Sequence, residues 1–234
     1  TDAYSRFLLR CQAVEKADGP HVRRLFEAMF REYGMPEAIR TDNGSPFASR
    51  APGGLSRLSM WWLRLGIQHE RIEPGCPEQN GRHERMHQTL KQETAKPPQS
   101  TIRQQQVAFV NFTREYNQER PHEALQYRRP ADLYVASARE YPRRLPELEY
   151  PQGCHMRRIS QQGSLKWQGE RTFVSEVLGR ELVGLLEREA DRFEVYYGAV
   201  LLGRFDASKH CFKEERAPRR RRAAKAEQAG GAKR

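Results

Sequence analysis

Several absences narrow the field. The 234-residue chain has only four cysteines, Cys11, Cys76, Cys154 and Cys211, and no Cys-x-x-Cys pair. That excludes a zinc ribbon or a dithiol redox motif. A disulfide framework is not expected at this size; free thiols in a reducing cytoplasm are. No apolar run approaches the roughly 20 residues that span a bilayer, so no membrane partner is expected. The chain opens on Thr1-Asp2-Ala3-Tyr4, neither an initiator nor a signal peptide. It reads as the interior of something longer, and the chain is expected to be a fragment. There is no internal repeat. Apolar residues make up 37% and charged residues 30%, a polar chain with enough apolar side chains for a core.

What is abundant is positive charge. The net charge is +11, and a polyanion is the partner it points to. The excess is uneven. Residues 212–234 hold nine Lys/Arg and three Asp/Glu, a net of +6, which leaves about +5 for the other 211 residues. The body is moderately basic and the tail is the outlier.

Periodicity divides the chain. Tyr4 to Cys11 reads as a strand. Asp18-Gly19-Pro20 suits a helix start, Val22, Leu25, Phe26, Met29, Phe30 and Tyr33 follow helical spacing, and Gly34 suits the stop. Met35 to Asp42 reads as a short strand ending on an acid. Leu55, Leu58, Trp62 and Leu65 form a second helical stripe, followed by a strand over Ile67–Ile72. Pro74 to Gly81 is a loop by composition. Helices are expected from about Arg82 to Thr94, with Met86 and Leu90 inward, and from about Ser100 to Tyr116, with Phe109, Phe112 and Tyr116 inward. Three prolines and a glycine between Tyr141 and Gly153 mark a linker. Beyond it the pattern turns to short strands near 172–174, 182–186, 193–197 and 200–205, with Gly198 as a turn. That density of strands suggests a small barrel or sandwich. From Lys213 the chain is charged, Ala/Gly-rich and expected to be disordered.

Two carboxylates stand where chemistry can use them. Asp42 lies at a strand end before Asn43-Gly44, and Glu84 lies in the first turn of a helix after a Gly-bearing loop. Two carboxylates on different elements of an α/β layer can share Mg²⁺, which prefers hard oxygen ligands. Two ions held roughly 3.5–4 Å apart stabilise both oxygens of a phosphoryl displacement, and a third carboxylate is normally needed to hold both. Taken singly, Asp42 in Asp-Asn-Gly reads as a turn residue, and Glu84 as a helix N-terminal acid favoured by the macrodipole.

The words around them are more specific. Ile39-Arg40-Thr41-Asp42-Asn43-Gly44-Ser45-Pro46-Phe47 resembles the second-aspartate motif of the retroviral-integrase-like DDE transposases. Pro74 to Arg85, with Gln79-Asn80-Gly81-Arg82-His83-Glu84, resembles the loop and helix that bear the glutamate of that family. Tyr116 to Leu125, then Arg129-Pro130-Ala131, resembles the segment closing the catalytic domain in bacterial insertion-sequence members, and Asp2-Ala3-Tyr4-Ser5-Arg6 resembles its second-strand region. The resemblance spans about residues 1–134.

It implies an α/β fold: an RNase H-like catalytic core over 1–135, here without its first strand. A Pro-rich linker over 136–155, a small β-barrel-like domain over 156–212 and a disordered basic tail over 213–234 complete the expected organisation. It implies Mg²⁺- or Mn²⁺-dependent cleavage and joining of double-stranded DNA, at element ends and target. It also implies a homo-oligomer assembled on DNA and a cytoplasmic, nucleoid-associated place. Asp42 and Glu84 would be two of three catalytic metal ligands. The first aspartate of the family lies upstream of the segment that Asp2 resembles; Asp2 reads instead as a turn or strand-entry residue. No strand transfer is therefore expected from this chain alone. Glu78 follows Asp42 after 35 intervening residues and Glu84 after 41. The helix context and the Asn-Gly approach select Glu84, with an insertion around 49–54 absorbing the difference.

Around the acids, helical spacing puts Glu84, His87, Gln88 and Lys91 on one face, with Lys91 placed for a phosphate. Asn80 is a candidate DNA contact from the loop. Trp61 and Trp62 read as core. Arg219, Arg220, Arg221 and Arg222 suit non-specific phosphate contact, or simply a solvated tail. Two other readings stay open: a non-enzymatic DNA-binding or assembly remnant, and an unrelated metal-dependent nuclease using the same two acids.

Overall fold

A computed structural model describes residues 1–15, 18–73 and 76–215, with the backbone alone for residues 77 and 78. The chain forms two compact units. The first comprises Thr1–Ser49 and Ser56–Glu147; the second comprises Arg50–Leu55 with the chain from Leu148 onward.

The first unit is mixed α/β. Helix α1 (Gly19–Tyr33) starts where Asp18 accepts a hydrogen bond from the His21 amide at 2.8 Å, with Pro20 in the first turn, and ends at Gly34. Strand β1 (Ala38–Thr41) crosses over through α2 (Arg57–Arg64) to β2 (Gln68–Arg71), and the two strands pair in parallel, Ala38 opposite Gln68 and Thr41 opposite Arg71. Ser56 and Ser59 cap α2 reciprocally. Helices α3 (Gly81–Thr94) and α4 (Ile102–Gln118) follow, α4 capped by Thr101, and then the short α5 (Pro130–Leu133).

Two apolar clusters hold these elements. Val22, Phe30, Met35, Leu58, Trp61, Trp62, Leu65 and Ile67 form one, with Phe26, Phe47 and Tyr141 against it. Trp61 and Trp62 are core side chains, as expected. Leu8, Met86, Leu90, Phe112 and Tyr116 form the other, with Phe109 and Cys11 at its edge. Because Met86 and Leu90 face α4, the opposite face of α3 is left to solvent.

The strand expected over Tyr4–Cys11 does not form. Residues 3–5 make a turn, and residues 6–14 have no regular secondary structure. No strand lies alongside among the described residues; side-chain amides of α4 take the place of one. Asn117 accepts from the Leu8 amide at 2.8 Å and donates to the Leu8 carbonyl at 3.1 Å. Gln106 accepts from the Ala13 amide at 2.9 Å and donates to the Cys11 carbonyl at 3.1 Å. The backbone groups are satisfied without a ladder.

The chain after α5 is tied to this unit. Ser137 donates its amide to Tyr33, and Arg139 donates to the carbonyls of Pro36, Leu65 and Gly66 at 2.7–3.2 Å.

Among its described residues the second unit is mainly β. Strands β3 (His155–Arg158), β6 (Leu182–Glu189), β7 (Arg192–Tyr197), β8 (Val200–Asp206) and β9 (Cys211–Glu214) form an antiparallel sheet in the order β3-β6-β7-β8-β9. Strands β4 (Ser164–Trp167) and β5 (Glu170–Phe173) form a separate hairpin. Gly198 takes a positive φ of 57° in the turn between β7 and β8. Val183, Leu185, Val195, Leu202 and Phe205 are almost wholly buried. Among the described residues no ladder joins the hairpin to the sheet, so the expected barrel-like closure is replaced by an open five-stranded sheet. Arg219, Arg220, Arg221 and Arg222, with the rest of the tail from residue 216, lie outside the described residues.

Candidate active site

Asp42 follows the last residue of β1 and is exposed. It sits at the carboxyl end of the parallel pair, the edge where α/β sheets present ligand-binding groups. Its position is fixed from both sides. Oδ1 accepts the Gly44 amide at 2.9 Å, an Asx turn, while Oδ2 has no protein partner among the described residues. The Thr41 hydroxyl donates to the Asp42 carbonyl at 2.9 Å and lies 2.9 Å from His69 Nε2. The Asn43 side chain donates to the Ile72 carbonyl at 2.8 Å, pinning the turn to the end of β2.

Glu84 lies in the first turn of α3, where a carboxylate is favoured by the helix dipole. Asn80 precedes the helix and makes no side-chain capping bond. Arg82 donates to the Ala3 carbonyl at 2.9 Å, tying the start of α3 to residues 1–6. Glu84, His87, Gln88 and Lys91 line one groove of about 310 Å³ with Gln92 and Lys96. Glu78 has no described side chain.

His83 stands beside Glu84 in the first turn of α3, and the sequence motifs do not single it out. Partial desolvation lowers the His83 pKa from its ordinary 6.5; His87 adds to this, and the negative charge of Asp42 opposes it. Asp42 is thus within electrostatic reach of the first turn of α3. The rings of His83 and His87 lie 5.8 Å apart. Partial desolvation and then Lys91 lower His87 as well.

Asp2 serves the local turn instead, where its Oδ2 accepts from both the amide (2.7 Å) and the hydroxyl (2.6 Å) of Ser5. The segment Tyr116–His122 is structural too. Asn117 holds Leu8, and Arg120 bridges Glu93 of α3 and Glu115 of α4 at 2.8 and 2.7 Å. His122 packs edge-on to Tyr116.

In its chemistry the donor set suits a hard divalent cation: Asp42 and Glu84 are exposed carboxylates, and Mg²⁺ commonly takes one or two protein carboxylates. It does not by itself fit two ions: among the described residues no group of three or more His, Cys, Asp or Glu side chains could hold a metal. No helix is long and apolar enough to cross a membrane among those residues.

Comparison with known proteins gives a consistent picture. Residues 1–77 and residues 65–130 each match a model of the integrase core domain. An uncharacterized 39.2 kDa protein of insertion element IS476 from Xanthomonas euvesicatoria is 38% identical over 107 residues, 44% of this chain and 29% of that protein. An uncharacterized 31.7 kDa protein of insertion element IS407 from Burkholderia multivorans is 30% identical over 116 residues, 49% of this chain and 40% of that protein. The chain thus spans well under half the length of these relatives. The Gag-Pol polyprotein of baboon endogenous virus is 32% identical over 74 residues, 32% of this chain and 4% of the polyprotein. Among solved structures, a chain of the simian T-cell lymphotropic virus intasome in complex with PP2A regulatory subunit B56 gamma is 17% identical. It covers 88% of this chain and 67% of that one at a TM-score of 0.41, too low to carry an argument.

Proposed function

This chain belongs to the integrase core family of bacterial insertion-sequence transposases, and on that premise we propose that its first unit is part of a DNA-joining centre of RNase H-like descent. The observation that carries the reading is the match of residues 1–77 and 65–130 to the integrase core domain, within which Asp42 stands at the carboxyl end of β1 and Glu84 in the first turn of α3. The reaction class is hydrolysis of a phosphodiester at an element end, followed by attack of the freed 3′-hydroxyl on target DNA. The partners are double-stranded DNA and further copies of the chain.

Asp42 and Glu84 would hold Mg²⁺ or Mn²⁺. A divalent ion there would activate water and neutralise charge on the phosphate. The protein supplies the rest. The Asx turn fixes the Asp42 backbone while leaving Oδ2 outward. The Thr41–His69 pair and the Asn43 bond keep that turn at the strand end. Lys91, about two turns beyond Glu84 on the same groove, meets the backbone phosphate. Asn80, uncommitted as a cap, is free to contact DNA from the loop.

Among the described residues no third acid joins Asp42 and Glu84, so the expected outcome for this polypeptide alone is no joined product. The organisation we adopt is a core over 1–135, a linker over 136–155, a β domain over 156–212 and a DNA-binding tail bearing Arg219 to Arg222.

Manganese binding in the presence of duplex DNA, followed by water-proton relaxation, tests the site. Asp42→Asn and Glu84→Gln should each weaken binding at least about ten-fold, since each removes one of two charged oxygen ligands, and Glu78→Gln should leave it unchanged. Loss with Glu78→Gln and none with Glu84→Gln would reverse the assignment. Measurable Mg²⁺-dependent joining by this polypeptide would overturn the two-of-three reading.

A further inference from the structure

The second unit carries an uncompensated cluster of cations. In the β4–β5 hairpin, Lys166 and Arg171 are cross-strand partners. Like charges placed opposite each other destabilise a strand pair. Both side chains are exposed, and neither has an ion-pair or hydrogen-bond partner among the described residues. Arg158, at the end of β3, and Arg180, just before β6, border the same cleft of about 340 Å³.

Those two arginines are held by neutral acceptors. Arg158 donates to the Arg180 carbonyl at 2.8 Å, and Arg180 donates to the Gln161 side chain at 2.8 Å. Their guanidinium charges are fixed in place without being cancelled. Elsewhere in this unit exposed arginines do find acids: Arg188 pairs with Glu194 and Arg192 with Glu189. No carboxylate lines the cleft. Ser160 accepts the Ser164 amide at 3.0 Å, which leaves its hydroxyl proton for an outside acceptor.

We infer that this cleft is an anion site that takes the phosphodiester backbone of duplex DNA. Four cations and a hydroxyl donor, with no acid among them, select an anion; guanidinium groups suit phosphate oxygens in particular. All four cations are exposed, so a lone small anion would stay hydrated, whereas a polyanion gains from counterion release at each contact. No aromatic ring lines the cleft, so bases have nothing to stack on and the reading is of backbone rather than sequence. The cross-strand repulsion is the cost of holding two charges ready for a ligand. Only the choice of duplex DNA over other polyanions leans on the function proposed above.

The test is equilibrium binding of the full chain to a duplex without divalent ions, so the fate of the Asp42–Glu84 site does not enter. Lys166→Gln/Arg171→Gln should weaken binding roughly ten-fold at about 150 mM salt and reduce the slope of log affinity against log salt by about 2. Its Tm should hold or rise, since the repulsion is gone. The charge-preserving Lys166→Arg/Arg171→Lys should keep wild-type affinity. A quadruple Arg219→Gln/Arg220→Gln/Arg221→Gln/Arg222→Gln variant should lose affinity separately, with the cleft effect still present on top. Wild-type affinity and slope in the double Gln variant would overturn the proposal. So would loss in the charge-preserving variant, which would mark a structural role. Displacement of duplex by millimolar inorganic phosphate at constant ionic strength would make it a discrete anion site instead. A defect confined to binding of phosphatidylserine vesicles would assign it to a membrane surface.

Discussion

The two units solve the same problem, satisfying a backbone while burying apolar surface, in opposite ways. The β unit does it with ladders: five strands share hydrogen bonds in unbroken order, and the buried residues alternate along them, as in β7 with Phe193, Val195 and Tyr197. Among its described residues the α/β unit has only two strands, each of four residues. Its strand-like segment at Leu8–Ala13 is served by Asn117 and Gln106, and the chain at Met35–Pro36 and Leu65–Gly66 by Ser137 and Arg139. A ladder spreads its work over many equivalent bonds. A prop concentrates it in one side chain, so single substitutions should hurt the first unit more.

The sharpest way to break that contrast is the aromatic cluster. Trp62 is fully buried and meets the rings of Phe26, Phe47 and His69. Trp62→Ala should cost about 3–5 kcal/mol in urea denaturation; a cost below about 1 kcal/mol would mean that the cluster is not the core of the unit. Asn117→Ala comes next. It strands a buried amide and carbonyl of Leu8 together, at about 2–4 kcal/mol. The matched change in the β unit, Thr172→Val, removes one bond to the carbonyl of exposed His210, where water can substitute, and should cost under about 1 kcal/mol. Equal costs for the two would erase the distinction.

The smallest effect is acid sensitivity. His69 and His122 are half-buried in the first unit, and burial lowers both from 6.5. The unfolded chain binds these protons more readily than the folded one. Their contribution is therefore complete above pH 6.5 and is lost as the pH falls through the depressed folded values. Urea midpoints at pH 7.5 and 5.5 should show that loss; an unchanged midpoint in the acid would argue against these shifts.

Much of this was legible along the chain, because its causes are local. Asp18 and Pro20 announce α1, and Gly34 ends it. The 3.6-residue stripe of Met86 and Leu90 tells which face of α3 is left over for Glu84, His87, Gln88 and Lys91. The Asp-Asn-Gly turn and the Gly-Arg-His-Glu helix start are short enough to read as words. The Tyr4–Cys11 segment misled because strand propensity describes a side chain's fit to a pleated surface, not whether a neighbouring strand is there to pair with it.

By itself, then, the sequence determined the helices with their caps, the edge of the strand pair that carries Asp42, and the basic excess. Only the tertiary structure decided that Asn117 would stand in for a strand 109 residues away. It alone brought Asp42 within reach of His83 and gathered Arg158, Lys166, Arg171 and Arg180 into one cleft without an acid. Each of those depends on which distant segments pack together, and packing is chosen by the whole buried surface at once, which no window of neighbouring residues contains.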